Sequence, residues 1–204
     1  MNAPVVPVED SALCSNASEQ GSRKLGSGAV VWLTGMISAG KTTIAHRVAE
    51  ALETGGIRVR WLDGDLVRKQ FNRDLGFSKA DRDENVHRIG QIAVLLARQG
   101  VTVVVSAISP YRQARDEVRR ASPIFIEVYV NASLAACEAR DVKGLYRRAR
   151  AGEVQHLTGV NDPYEPPPAP EVECNTEMET VAESARKVLK GVLSRLNQRE
   201  RRGP

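Results

Sequence analysis

No stretch of this 204-residue chain approaches the ~20 consecutive apolar residues that a membrane-crossing helix needs. Its N-terminus also lacks the charged-then-apolar pattern of a secretory signal, so a soluble, cytoplasmic protein is expected. Cysteine is scarce: Cys14, Cys137 and Cys174 are odd in number and widely spaced, which fits reduced thiols better than a disulfide framework or a zinc site. Acidic residues fall short of basic ones, 25 against 29, and part of the excess lies in the C-terminal RLNQRERR. One basic tail is a smaller surface than nucleic-acid binding usually needs, so it reads as a solvated end, with no nucleic acid or membrane as partner. No internal repeat is visible.

What is present is an ordinary globular composition, 42% hydrophobic and 26% charged, in a chain long enough for one well-buried domain. Residues 1–27 are rich in Ser, Ala, Gly and Pro without periodicity and are expected to form a disordered arm. A single domain is expected over residues 28–197, followed by a basic tail, 198–204. Within the domain, short apolar runs alternate with helical patterns. AVVWLT (29–34), IRVRWL (57–62), VTVVVSAI (101–108) and PIFIEVYV (123–130) read as strands, with a fifth near Val172. TIAHRVAEALET, ENVHRIGQIAVLLARQG and METVAESARKVLKGVLSRL read as amphipathic helices. This alternation predicts an α/β fold: a parallel sheet of about five strands with helices on both faces, three layers in all, and ligands at the carboxyl ends of the strands.

Between the first strand and the first helix lies Gly35-Met36-Ile37-Ser38-Ala39-Gly40-Lys41-Thr42-Thr43, which satisfies G-x-x-x-x-G-K-[ST] in the context that confirms it. The two glycines let successive N–H groups converge on phosphate oxygens at the positive end of a helix. Lys41 can then reach the β- and γ-phosphates, and the Thr42 hydroxyl can ligate Mg²⁺. Phosphate binding alone fits a kinase or a hydrolysing switch; the guanine-reading N-K-x-D of a GTPase is absent.

The second strand runs into Leu62-Asp63-Gly64-Asp65, placing two carboxylates beside the phosphate loop. One carboxylate can take the proton of an attacking hydroxyl while another holds Mg²⁺ directly or through water, and both roles are open to this pair. Gly64 between them is expected to relax the backbone, so that the two side chains need not point to opposite faces.

From here the sequence resembles the adenylylsulfate kinases, P-loop kinases that use MgATP to phosphorylate the 3′-hydroxyl of adenosine 5′-phosphosulfate (APS). The resemblance rests on LDGDLVR (62–68), FNRDLGFSKADRDENVHRI (71–89), ISPYRQARDEVR (108–119), FIEVYVNASLAACEARDVKGLYRRARAGEV (125–154) and LTGVNDPYEPP (157–167), and covers about residues 29–176. It implies that Asp65 is the general base and Asp63 its neighbour at metal or substrate. It also implies that Arg68, Phe77, Arg82, Asn85, Ile108, Ser109, Lys143 and Leu157 bind APS, with Phe77 stacking on adenine and Ile108 and Ser109 acting mainly through backbone. Forked guanidiniums suit phosphate and sulfate oxygens, and an aromatic face suits adenine. The same position as Ser109 is described in the family as a phosphoserine intermediate, but AISPY offers a serine nucleophile no base, and in-line transfer needs none.

Residues 143–160 resemble the family's lid, in which Lys143, Arg147, Arg148 and Arg150 can neutralise transferring phosphates and exclude water. DPYEPPPAP reads as a rigid irregular connection back to the sheet. A homodimer, and association with the ATP sulfurylase that makes APS, are further implications of the resemblance. Two positions depart from the family. The loop tip Met36-Ile37 with Ala39 is bulkier and less polar, and Leu157 stands where the family usually has a Phe facing the adenine; the lost stacking is worth roughly 0.5 to 1.5 kcal/mol. Two other readings remain: a P-loop kinase for a different small hydroxyl compound, or a catalytically weak, nucleotide-dependent regulatory module.

Overall fold

The computed structural model describes residues 28–202; the expected arm at 1–27 lies outside the described residues. The elements are β1 (Val30–Thr34), α1 (Lys41–Thr54), β2 (Val59–Asp63), α2 (Gly64–Gln70), α3 (Lys79–Arg98), β3 (Thr102–Ser106), α4 (Arg112–Ala121), β4 (Phe125–Asn131), α5 (Leu134–Arg140), α6 (Leu145–Arg150), β5 (Val172–Asn175) and α7 (Val181–Arg202). All five strands are parallel, in the order β2-β3-β1-β4-β5. The expected α/β architecture is therefore the one observed.

β1 is central because both of its faces are apolar. Val31 and Leu33 join a core with Ile44, Val48 and Leu52 of α1 and Val188 and Val192 of α7. Val30 and Trp32 point the other way, into a core with Val86, Ile89 and Ala93 of α3 and Val118 of α4. A residue period of two thus feeds two helical layers, which is why the run reads as continuously hydrophobic. After β3 the chain crosses β1 to build the other half of the sheet, so the order reverses at the carboxyl end of β1. That is where a ligand crevice is expected in such sheets.

Some boundaries differ from the pattern in the sequence. The β2 run ends in a helix rather than a loop: Asp63 is the N-cap of α2, its Oδ1 accepting from the amides of Asp65 and Leu66 at 2.9 and 3.1 Å. Gly64 serves close packing rather than backbone relaxation, since a Cβ there would sit 2.9 Å from the Ala107 Cβ and 3.0 Å from the Ser106 carbonyl oxygen. α7 continues to Arg202, so the expected basic tail is helical as far as it is described, as helix-favouring Arg and Glu allow. Among the described residues no helix is long and apolar enough to cross a membrane.

Candidate active site

The loop 35–43 leaves β1 at the sheet's centre. Gly35 is required by proximity: a Cβ would lie 2.4 Å from the Val130 carbonyl oxygen of the neighbouring strand. Gly40 adopts φ +102° immediately before α1, a conformation that L side chains rarely take. Lys41 is buried and donates to the Met36 carbonyl at 2.6 Å. Burial pulls its pKa down to about 8, against the weaker pull of Asp65. An anion at the loop would relieve that penalty by adding countercharge beside Lys41. Ser38 and Ala39 complete the turn and Thr43 is exposed on the first turn of α1.

The carboxyl end of β2 stands directly opposite. The Thr42 hydroxyl donates to Asp63 Oδ2 at 3.1 Å, and the Ser106 hydroxyl at the end of β3 approaches the same oxygen at 3.3 Å. Trp61 Nε1 in turn donates to Ser106 Oγ at 3.2 Å. Asp63 is thus divided, one oxygen capping α2 and the other meeting two hydroxyls. Such an oxygen-only donor set suits a hard cation that keeps several waters, Mg²⁺ above all. Among the described residues no group of three or more His, Cys, Asp or Glu could hold a metal alone. A cation held here must therefore draw further ligands from water and nucleotide phosphate.

Asp65 lies two residues along, in the first turn of α2, exposed, and forms an ion pair with Lys143, which reaches across from the segment between α5 and α6. The expected base and an expected lid residue are therefore brought together across 78 positions of sequence. Two of the residues expected to bind APS, Arg68 and Arg82, converge on a third, Phe77, which is exposed. The Arg68 guanidinium lies 4.6 Å and that of Arg82 5.7 Å from its ring centroid. Partial burial, and then the Arg82 charge, lower the pKa of Arg68. Arg68 also donates to the carbonyls of Leu75 and Gly76. Arg82 donates to the Phe77 carbonyl at 3.0 Å, to the His156 carbonyl, and to Asp162 Oδ2 at 3.3 Å, pinning the far end of the lid segment beside Leu157. Asn85 accepts from Asn72 at 2.9 Å. Leu157 is buried in the core that includes α1, and Met36 packs against the same core. The Met36 sulfur would lie 3.0 Å from a Cβ at Gly159, so the loop tip and the Leu157 segment lean on each other.

Ile108 and Ser109 follow β3. The Ser109 hydroxyl and the Ile108 carbonyl belong to one hydrogen-bond chain: Trp32 Nε1 donates to Ser109 Oγ at 3.0 Å, Ser109 Oγ to Thr34 Oγ1 at 3.0 Å, and Thr34 Oγ1 to the Ile108 carbonyl at 2.7 Å. None of the hydroxyl's partners is a base, and the hydroxyl is buried.

In the lid, Arg148 pairs with Glu153 at 3.2 Å and Arg150 with Glu138 at 2.6 Å; Arg147 is exposed on the same helix. Exposed pairs of this kind contribute little, on the order of 0–1 kcal/mol, so phosphate oxygens can take these guanidiniums from their present partners. Two contacts were not foreseen from sequence. Tyr146 is buried and its hydroxyl donates to the Ile37 carbonyl at 3.0 Å, rooting α6 on the phosphate loop. Arg140 donates to Thr176 Oγ1 at 3.0 Å and its carbonyl at 2.6 Å, while Thr176 donates to the Ala39 carbonyl at 3.0 Å. Nothing local marks these pairs, since their partners lie 36 to 137 positions away.

Comparison with known proteins places this geometry. A sequence model of the family described as adenylylsulphate kinase matches residues 27–175. An adenylyl-sulfate kinase of Picosynechococcus sp. is 57% identical over 163 residues, covering 80% of this chain and 92% of its own. A second, from Halothermothrix orenii, is 54% identical over 79% of this chain and 88% of its own. Among solved structures, the Mycobacterium tuberculosis APS kinase CysC in complex with AMPPNP and APS superposes with a TM-score of 0.78 at 41% identity, covering 81% of this chain and 98% of that one. The hexameric APS kinase from Thiobacillus denitrificans, of whose chain 29% is covered, gives 0.61 at 32%. A Sinorhizobium meliloti gluconokinase at 20% identity shares the fold. On the strength of a match that spans nearly the whole described domain, this chain belongs to the adenylylsulphate kinase family.

Proposed function

We propose that this protein transfers the γ-phosphoryl group of ATP to the 3′-hydroxyl of APS, giving 3′-phosphoadenosine 5′-phosphosulfate and ADP in sulfate activation. The observation that carries the proposal is the meeting of the phosphate loop with Asp63 through Thr42, beside Asp65 held by Lys143 of the lid segment, in a chain of this family. In this reading the amides of residues 35–43 and the Lys41 ammonium grip the β- and γ-phosphates. Thr42 and Asp63 hold Mg²⁺, which when bound neutralises charge on the phosphate oxygens. Asp65 accepts the proton of the 3′-hydroxyl as the new P–O bond forms, and Lys143 orients that carboxylate until substrate arrives.

Arg68, Arg82 and Asn85 take the phosphosulfate, Phe77 covers the adenine, and Leu157 supplies the opposite apolar wall. Ser109 acts by holding the Ile108–Pro110 turn and not as a nucleophile, because its proton already goes to Thr34. Arg147, Arg148 and Arg150 close over the phosphates and exclude water that would otherwise hydrolyse ATP. The same reading makes the enzyme cytoplasmic and homodimeric, working alongside the sulfurylase that supplies APS.

The test is to mix purified protein with MgATP, with and without micromolar APS, and resolve the nucleotides by chromatography. APS-dependent ADP matched by a 3′-phosphorylated product is expected. ADP formed only with a different hydroxyl compound would overturn the acceptor, and nucleotide binding without turnover would overturn the catalytic reading altogether.

A further inference from the structure

Arg115 on α4 is a fully buried cation outside the set of residues that sequence reasoning assigns to the site. Its guanidinium spends its donors in three directions. Nε donates to Glu127 Oε1 of β4 at 2.8 Å, Nη1 to the Ser109 carbonyl at 2.7 Å, and Nη2 to the Glu165 carbonyl at 2.8 Å. The ring of Tyr164, whose hydroxyl shares a hydrogen bond with Thr34 at 3.0 Å, lies 6.0 Å from the same guanidinium.

Burying such an ion is costly, and an apolar residue of similar volume often serves stability as well. An apolar residue could not satisfy two carbonyls on separate loops. One of those carbonyls belongs to Ser109, whose φ of +42° is unusual for a residue with a side chain and must be held by its surroundings. The other lies in the irregular connection that follows the lid segment and Leu157. The charge itself is balanced behind the loops: Arg119 donates to Glu127 Oε2 at 2.8 Å and to Glu171 at 2.6 Å, the Glu127 amide donates to Glu171 Oε2 at 2.7 Å, and Arg195 of α7 approaches Glu171 at 3.6 Å. Arg119 and Arg195 thus serve the ion cluster, whereas Arg115 joins it to the two loops.

We infer that Arg115 is a positioning residue for the acceptor: its planar fork fixes the Ile108–Pro110 turn and the 162–167 connection at one mutual spacing, setting the width of the APS pocket. This rests on the acceptor assignment above, but the spacing itself can be measured without any substrate.

Arg115→Lys keeps a charge for Glu127 but loses the flat fork that reaches both carbonyls. Hydrogen–deuterium exchange of the free protein should then speed up in peptides covering 107–111 and 163–167 together, with the 35–43 peptide unchanged. In steady-state kinetics the KM for APS should rise about tenfold or more, with the Kd for a non-hydrolysable ATP analogue unchanged. Arg119→Lys, in the same cluster but touching neither loop, should alter neither readout. Unchanged exchange at the two segments would overturn the inference, as would donor and acceptor constants moving alike, or Arg119→Lys reproducing the effect. If wild-type protein does not turn over APS, the acceptor reading fails by itself, and the exchange experiment still decides whether Arg115 clamps the two loops.

Discussion

At the scale of single residues, Asp63 and Asp65 divide their work by the backbone on which each stands. Asp63 ends a strand, is buried, and is committed through both oxygens; Asp65 sits in the first turn of α2, exposed, with a partner that can leave. Asp65→Asn is therefore expected to leave the affinity for an ATP analogue within a factor of about two while turnover falls by ~10²-fold or more. Equilibrium titration and initial rates measured on one preparation check both halves. Lys41→Ala should lose nucleotide affinity as well as rate, because on the proposed reading the removed group grips the phosphates themselves. Loop and carboxylates were legible in the sequence, since a short spacing encodes each of them. The Lys143–Asp65 pair was not, because the chemistry of a lysine does not say which of 25 acidic residues it will meet.

At the scale of elements, the proposed acceptor side depends on how α3 begins. Ser78 and Asp81 form a reciprocal capping box: the Ser78 hydroxyl accepts from the Asp81 amide at 3.2 Å and Asp81 Oδ2 accepts from the Ser78 amide at 3.2 Å. The next residue is Arg82, so fraying of this turn would loosen its hold on Phe77 and the lid segment. Ser78→Ala should cost about 1 kcal/mol of stability in thermal unfolding, together with a higher KM for APS. The Asp81 carboxyl is held below its ordinary value of 3.8, first by its hydrogen bond to the Ser78 side chain. A depressed carboxylate stabilises fully above its unfolded value and progressively less as pH falls through the folded one. The thermal advantage of wild type over Asp81→Asn should accordingly hold at neutral pH and shrink below pH 3.8; an advantage independent of pH would exclude this cause. S-x-x-D is visible in the sequence, yet the apolar period becomes evident only from Val86. The helix nevertheless starts at Lys79 because the box secures a polar first turn.

At the scale of the whole molecule, the alternation of short apolar runs and helical stripes was enough to foresee a parallel sheet with two helical layers. It was not enough to order the strands, because β1 pairs with segments about seventy and about 95 residues away and the three middle strands all offer apolar, largely β-branched faces. One contact that closes the α3–α4 layer is equally silent in sequence. A Cβ on Gly90 would lie 2.4 Å from Val118 Cγ2, so Gly90→Ala should force the helices apart at a cost of about 1–3 kcal/mol, seen as a lower melting temperature. Finally, the only two tryptophans in the chain reach different parts of the proposed site. The Trp32 indole is bonded to Ser109 on the acceptor turn, the Trp61 indole to Ser106 behind the Asp63 carboxylate. On the proposed assignment of the site, each substrate then has its own intrinsic fluorophore. With Trp61→Phe, emission should respond to APS alone, and with Trp32→Phe to MgATP alone, so the order in which the two substrates load can be watched without a label.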